Sequence, residues 1–293
     1  MKSFQILLMS NNVNIVKQKL KHGTFSYYKN DKFLAKSFKE YGEYSEYEVN
    51  LFKYLTNPGD NIVEVGSNIG SHTVPIAKHI SNKGIVYALE PQTQNYKILV
   101  KNINENKLTN TKIYKLAATN SIGEAYINTF AEDKLNNFGS ARISNKKNIN
   151  SETIKTTTLD DLLFDKFDEK KILKLIKCDA QGQEENIING SIKLIEKFNP
   201  FLYVENDIIE KSKSLIETIS KLNYVLFWHV VPLFNKKNFF KNSNNVFSNI
   251  HSINMLCVHR KTKFTLPENW KKLHIDNPNF HPLKKTGSTA QRS

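Results

Sequence analysis

Between residues 58 and 262 short apolar runs of strand length alternate with amphipathic stretches of helical spacing. The runs predict strands at Asn61–Val65, 85–89, 111–116, Leu173–Cys178 and Phe201–Glu205. Helices are expected over 71–80, 184–198 and 208–222, and residues 123–130 read as an added strand. Two late strands, 224–231 and 253–258, flank an insertion rich in Asn and Phe over 232–250. Strands and helices in alternation imply an α/β fold, a mostly parallel sheet with helices on both faces. The late pair would add an antiparallel strand.

Outside that block the pattern weakens. Residues 1–57 read as an N-terminal extension or cap. It would hold a short helix over 11–22, a hairpin of 24–28 with 33–34 about Asn30-Asp31, and a helix Glu46–Leu55 with Tyr47, Leu51 and Tyr54 on one face. Pro58-Gly59-Asp60 punctuates before the first core strand. Residues 263–293 read as a polar, proline-punctuated tail whose last ten residues are expected to be mobile.

The densest signal is the run 61–70, a buried strand that enters a glycine turn and then a helix. The next strand stops at Glu90 before Pro91. Strand, glycine turn, helix and strand-end acid form a nucleotide-binding βαβ unit, with the acid placed for ribose hydroxyls. A dinucleotide site expects G-x-G-x-x-G, but Ser67 and Asn68 stand where its second glycine would fall. Glu64 is an acid where two phosphates would not tolerate one, so a cationic nucleoside fits better. S-adenosylmethionine, with its sulfonium and α-amino group, is the expected cofactor.

Composition changes this picture little. The chain has 293 residues, 39% hydrophobic and 11% aromatic, and a formal net charge of +14. The lysines are scattered and no basic run is interleaved with stacking aromatics, so there is no strong nucleic-acid signature. Cys178 and Cys257 fall in expected buried strands and form no C-x-x-C pair, which points to a reducing compartment. Phe4 to Met9 is the only apolar run near the start, and no segment has the length to span a bilayer. A soluble cytoplasmic protein is expected, with a homodimer left open.

Ligands on open parallel sheets bind at the carboxyl ends of the strands. Those ends carry Glu64, Gly66, Asn68 and Gly70, then Glu90 and Gln92, then Ala117 and Ala118. All are read as cofactor-binding, with the small alanines leaving room for adenine. The fourth strand ends on Asp179 and the fifth on Glu205 and Asn206. These three oxygen donors read either as ligands of a hard divalent cation such as Mg²⁺ or as metal-free contacts. In the second case Asp179 meets the methionine end of the cofactor, and Glu205 and Asn206 bind substrate. His229 is the expected general base for a hydroxyl, Asp179 shares the catalytic role, and His72 is a second candidate.

Several segments together resemble the FkbM-type S-adenosylmethionine-dependent methyltransferases. They are Gly42-Glu43-Tyr44-Ser45-Glu46, Val65-Gly66-Ser67-Asn68-Ile69-Gly70, Glu90-Pro91 and Asn136-Asn137-Phe138-Gly139. Thr158-Leu159-Asp160, the run 176–184, Tyr203-Val204-Glu205-Asn206 and Trp228-His229 complete the set. Ser67 replaces the family's usual Ala, and Ala180-Gln181 replaces its Val-Glu. The resemblance implies a class I, Rossmann-like sheet of seven strands and O-methylation of a hydroxyl on a sugar, glycan or related small molecule. It also brings Asn137 toward the substrate. Two rival readings remain: a non-catalytic nucleotide- or glycan-binding module, and ribose O-methylation of RNA. The chain lacks the Asn/Asp-Pro-Pro-Tyr/Phe motif of amino-group methyltransferases.

Overall fold

The computed structural model describes residues 14–131, 134–168, 171–286 and 289–290. The extension opens with an antiparallel hairpin, β1 (Ile15–Leu20) and β2 (Gly23–Tyr28). Its turn is at Lys21-His22, so the described part of the expected first helix is a strand. The alternation Val16, Gln18, Leu20 has the period of a strand. Residues 11–13 of that helix lie outside the described residues. Asn30-Asp31 is not a hairpin turn. Asp31 Oδ1 instead accepts from the amides of Phe33 and Leu34, starting helix α1 (Leu34–Tyr41). Helix α2 (Glu46–Leu55) lies where the spacing put it, but its buried face is a different one. Tyr47 and Tyr54 are exposed, while Glu46, Glu48, Val49, Leu51, Phe52 and Leu55 turn inward.

The core then alternates β3 (Asn61–Val65), α3 (Thr73–Ile80), β4 (Val86–Leu89), α4 (Thr93–Glu105) and β5 (Thr111–Tyr114), with α4 a helix that was not among those expected. A smaller sheet follows, in the order β6 (Ala117–Ala118), β9 (Ser151–Thr157), β7 (Gly123–Asn128) and β8 (Ile143–Ser144). The strand expected at 111–116 is thus split between two sheets. Helix α5 (Leu159–Leu163) leads to β10 (Leu173–Cys178). The helix expected at 184–198 is broken into α6 (Glu184–Asn189) and α7 (Ile192–Phe198). A Cβ on Gly190, at the break, would meet the Thr119 carbonyl oxygen at 2.1 Å. Strand β11 (Phe201–Glu205), helix α8 (Ile209–Lys221), β12 (Tyr224–Pro232) and β13 (Ile250–His259) complete the core. Helix α9 (Leu283–Thr286) and β14 (Thr289–Ala290), which pairs with β13, end the described chain.

The large sheet has the order β5-β4-β3-β10-β11-β13-β12. Its first five strands are parallel, and β13 runs antiparallel to both β11 and β12. The order reverses between β3 and β10, so a crevice opens at their carboxyl ends. Alternate residues divide the sheet into two faces. Val63, Val65, Ile176, Cys178, Leu202 and Val204 pack on one side with α5, α7 and α8. Ile62, Leu175, Phe201 and Tyr203 pack on the other with α2 and α3.

The tail packs on the sheet up to Leu283; of its last ten residues, 287–288 and 291–293 lie outside the described residues. Phe264, Leu266 and Trp270 close over the α2 face, and Ile275, Phe280 and Leu283 lie on the opposite one. The insertion between β12 and β13 folds onto the cap. Tyr41 Oη donates to Asn244 O at 2.9 Å, and Phe33, Tyr41, Leu233 and Phe247 form a small core. Among the described residues no helix is long and apolar enough to cross a membrane.

Gly190 has an ordinary φ, so a methyl group there acts through crowding alone. Gly190→Ala should lower stability by about 1–3 kcal/mol, read as a fall in the urea midpoint at constant slope. An unchanged midpoint would show that the Thr119 strand end moves freely.

Candidate active site

The turn after β3 is held by its own backbone. Gly66 and Ser67 both donate amide hydrogens to Leu89 O at 3.0 Å, locking the turn to the end of β4. Gly66 has φ +77°, Asn68 +49° and Gly70 +88°. The glycines are needed for close packing by protein, not only for a ligand. A Cβ on Gly66 would lie 1.8 Å from Asp179 O, and one on Gly70 would meet Leu99 Cδ1 at 2.9 Å. Gly70 therefore faces α4 and is not part of the crevice wall.

The turn after β10 is built differently. Glu184 Oε1 accepts from the amides of Ala180 and Gly182, both at 3.0 Å. This carboxylate folds the chain back and turns Asp179 and Gln181 into the crevice. The crevice occupies about 1040 Å³, counting its open mouth. That is ample for a nucleoside cofactor with a small second ligand, since such sites span roughly 300–1,000 Å³.

One side of the crevice is apolar and made by Ala117, Ala118, Ile127 and Phe138. Phe138 is stacked on Tyr28 at 4.6 Å, and its amide donates to Asp31 Oδ2. Asp31 thus clips the cap to the 137–139 segment, and Asn137 stands in the wall as expected. Glu90 lies between this side and the glycine turn. Its Oε2 accepts from the Asn68 amide at 2.8 Å and its Oε1 from the Gln92 amide at 2.9 Å. Both oxygens are fixed while each keeps a free lone pair, which suits a ribose diol. Burial pushes the Glu90 carboxyl up to about 7. The pocket fits an S-adenosyl group on these counts.

Beneath the opposite side lies a buried ammonium. Lys177 Nζ is 3.3 Å from Asp179 Oδ2 and 3.9 Å from Glu64 Oε1. Burial alone would lower its pKa, but Asp179, Glu64 and Glu48 hold it above the ordinary value. Glu64 is not in the wall. Its Oε2 accepts from Thr73 Oγ1 at 2.6 Å, and it serves Lys177 rather than a ligand cation.

Three further expectations fail on position. Gln92 is fully buried outside the crevice, its amide donating to Asn128 O. Asn206 donates its side-chain amide to Met255 Sδ, its backbone carbonyl meets His281 Nε2, and it does not line the crevice with Asp179 and Glu205. His229 is not at a strand end, because β12 continues to Pro232. It packs under Trp270 on the α2 face, bonded through Nδ1 to Tyr203 Oη at 2.8 Å, and burial lowers its pKa to about 4. It does not line the crevice.

The metal reading loses its geometry with Asn206. Asp179 is ion-paired with Lys177, and Glu205 accepts from Gln181 Nε2 at 3.1–3.2 Å. No group of three or more acidic, His or Cys side chains suited to a metal occurs among the described residues. An ammonium this close to Asp179 would repel a dication. These residues do not fit Mg²⁺.

The structure also brings in residues that the strand ends did not announce. Asp31, Tyr44, Ser45 and Glu48 come from the cap, Asn95 from α4 and Ser252 from β13. His72 lines the same end, and its Nε2 has no hydrogen-bond partner among the described residues. Burial, with Lys177 next, holds the His72 pKa well below its ordinary value, so the ring is neutral.

The sheet order and the crevice at its switch point define a class I S-adenosylmethionine-dependent methyltransferase. The sequence matches the methyltransferase FkbM domain over residues 64–239, and the chain belongs to that family. No curated protein matches it. Solved structures similar to it include methyltransferase FkbM from Methylobacillus flagellatus KT, at 16% identity over 53% of this chain and 36% of that one, TM-score 0.36. Others are an O-methyltransferase from Bacillus cereus in complex with SAH (14%, 74% and 82%, 0.43) and M. jannaschii TYW2 in complex with AdoMet (14%, 87% and 90%, 0.43).

Two outcomes follow from this geometry. Gly66→Ala, strained at φ +77° and opposed by backbone, should cost at least about 2 kcal/mol in a urea titration. Glu90 holds its proton in the folded state to about pH 7, against 4.5 unfolded. Its contribution to stability is therefore full below pH 4.5 and is lost as the pH rises through about 7. Glu90→Gln should flatten that part of the Tm-against-pH curve of the ligand-free protein. A slope identical to wild type would refute the buried, proton-holding carboxyl.

Proposed function

We propose that this methyltransferase acts on a hydroxyl group of a sugar, a glycan or a related small molecule. The observation that carries this reading is the chemistry of the crevice wall opposite the alanines. Glu48, Asp179, Gln181, Glu205 and Ser252 line it, a set rich in acceptors for O–H donors. Phosphate oxygens brought there would meet carboxylates, which counts against an RNA acceptor despite the +14 net charge.

In this reading Glu90 takes the ribose hydroxyls, and Ala117, Ala118, Ile127 and Phe138 border the adenine. The turn at Gly66 and Asn68 borders the methionine end, where Asp179 opposes the α-amino group. Asp179, Gln181, Glu205 and Asn137 orient the acceptor. When bound, the cofactor supplies an electrophilic methyl group on sulfur. The chain's own contribution is to align one hydroxyl with that methyl and to remove its proton, since positioning alone is worth orders of magnitude in rate. The two buried thiols, Cys178 and Cys257, are in keeping with a cytoplasmic setting.

The test is transfer of labelled methyl groups from S-adenosylmethionine to a panel of hexoses, deoxyhexoses, extracted cell glycans and a structured RNA. Alkali-stable label on the sugars, as a methyl ether, is expected. Label on RNA alone, or on amino groups, would reject the reading. Glu90→Gln should weaken S-adenosylhomocysteine binding by about 10-fold or more in calorimetry, on the scale of a lost charge-assisted hydrogen bond. Unchanged affinity would remove Glu90 from the ribose.

A further inference from the structure

With His229 outside the crevice, the proton acceptor must come from the carboxylates of the wall, of which Asp179 is paired with Lys177 and Glu205 with Gln181. We infer that Glu48, brought in by the N-terminal cap, takes the proton from the acceptor hydroxyl. The inference rests on the proposed hydroxyl chemistry and adds to it a residue that lies before the family-matched segment 64–239.

The geometry has three parts. Glu48 and His72 both line the crevice, with Glu48 Oε2 3.8 Å from His72 Nε2. No hydrogen bond ties that nitrogen to another group among the described residues. One hydroxyl oxygen can therefore lie within hydrogen-bond reach of both. It would donate to Glu48 and accept from the neutral ring in its Nε2–H tautomer.

Second, Glu48 is held from behind. Asn254 Nδ2 donates to its Oε1 at 3.4 Å, and the Tyr203 and Ser252 hydroxyls stand beside it and favour its charged form. Tyr203 is itself bonded to His229, stacked under Trp270, so the carboxylate has a rigid backing. This gives His229 a positioning role, exerted through Tyr203.

Third, the charge environment suits a base working near neutral pH. The groups that face Glu48 are His72 just before α3, Lys177 from β10 and Asp179 just after it, and Tyr203 from β11; Ser252 and Asn254 from β13 are uncharged. Burial, opposed by Lys177 and the hydrogen bonds, raises the Glu48 carboxyl to about 7. Lys177 keeps the conjugate carboxylate accessible at the upper end of that range.

The step balances without a further reactant. The O–H bond breaks and its proton goes to a Glu48 carboxylate oxygen. The hydroxyl oxygen's electron pair forms the new bond to the methyl carbon. The pair of the broken carbon–sulfur bond stays on the departing sulfur.

Glu48→Gln keeps the shape and removes the basicity. Three measurements on the full chain test it: S-adenosylhomocysteine affinity by calorimetry, the infrared titration of buried carboxyl C=O groups, and labelled methyl transfer to the sugar panel across pH. The expected result has three parts. Affinity stays within about threefold, one carboxyl titrating near pH 7 disappears, and turnover falls by about 10²–10⁴-fold with loss of the rising pH limb. Glu48→Asp should restore part of that limb, which a purely structural role would not predict.

An affinity loss of 10-fold or more overturns the inference, because Glu48 would then hold the cofactor's amino group. Turnover near wild type, or an unchanged pH limb, also overturns it while leaving the hydroxyl reading intact. If the wild type binds S-adenosylhomocysteine but labels none of the sugars, the hydroxyl reading itself falls, and this inference with it.

Discussion

The arrangement of the site depends on one buried cation. Lys177 points out of the centre of the sheet with almost no exposure, where an unpaired ammonium would be strongly disfavoured. Its strand neighbour across the β3–β10 pair is Glu64, its near neighbour along the chain is Asp179, and Glu48 adds charge from the cap. The ammonium holds these acids together under the crevice, and they in turn hold it charged. Removing it would leave Glu64 and Glu48 buried without that counter-charge. The same cluster explains why Glu64, which looks like a ligand contact, belongs to the foundation of the site.

The second constraint is the approach of two backbones at the switch point. Gly66 packs on the Asp179 carbonyl with no room for a side chain. This fixes the β3 and β10 turns relative to each other, and so fixes where Asn68, Asp179 and Gln181 stand. Around that joint the walls come from distant parts of the chain. Asp31 ties the cap to Phe138 across more than a hundred residues. Glu43 accepts from Asn235 and from the Phe239 amide, which anchors the insertion to the cap. Glu46 pairs with Lys21 and His22, fastening the hairpin turn to α2. The acids of the 42–46 motif thus bind protein, and the next acid, Glu48, is the one that reaches the crevice. A chain of +14 net charge thereby presents an acid-lined cleft.

Much of this was legible before any coordinates. Wholly apolar runs such as Ile62-Val63 and Leu202-Tyr203-Val204 mark strands buried on both faces, and such strands order a parallel sheet. Polar residues immediately after them fall at its carboxyl edge, which is why Gly66, Asn68, Glu90, Asp179 and Glu205 line the crevice. The same logic failed where a strand ran on. His229 was expected at an edge, but β12 extends to Pro232 and the pleat turns the ring to the α2 face. It also failed for residues one step past an edge: Gln92 and Asn206 satisfy backbone and neighbouring side chains instead of a ligand. On α2, two tyrosines suggested the wrong inner face, since Leu51, Phe52 and Leu55 pack on the sheet and leave Tyr47 and Tyr54 exposed.

The sequence by itself therefore determined the parallel core, the glycine turn and the polar residues at the crevice edge after β3, β4 and β10, because those depend on local periodicity and on residues adjacent along the chain. It could not determine which carboxylates line the crevice and which, like Glu64, lie buried behind it beside Lys177. Nor could it show that Glu48 and His72, 24 residues apart along the chain and on different elements, stand 3.8 Å apart in one wall. Those outcomes depend on charge balance and on packing between the cap, the sheet and the tail, and only the tertiary structure brings the three together.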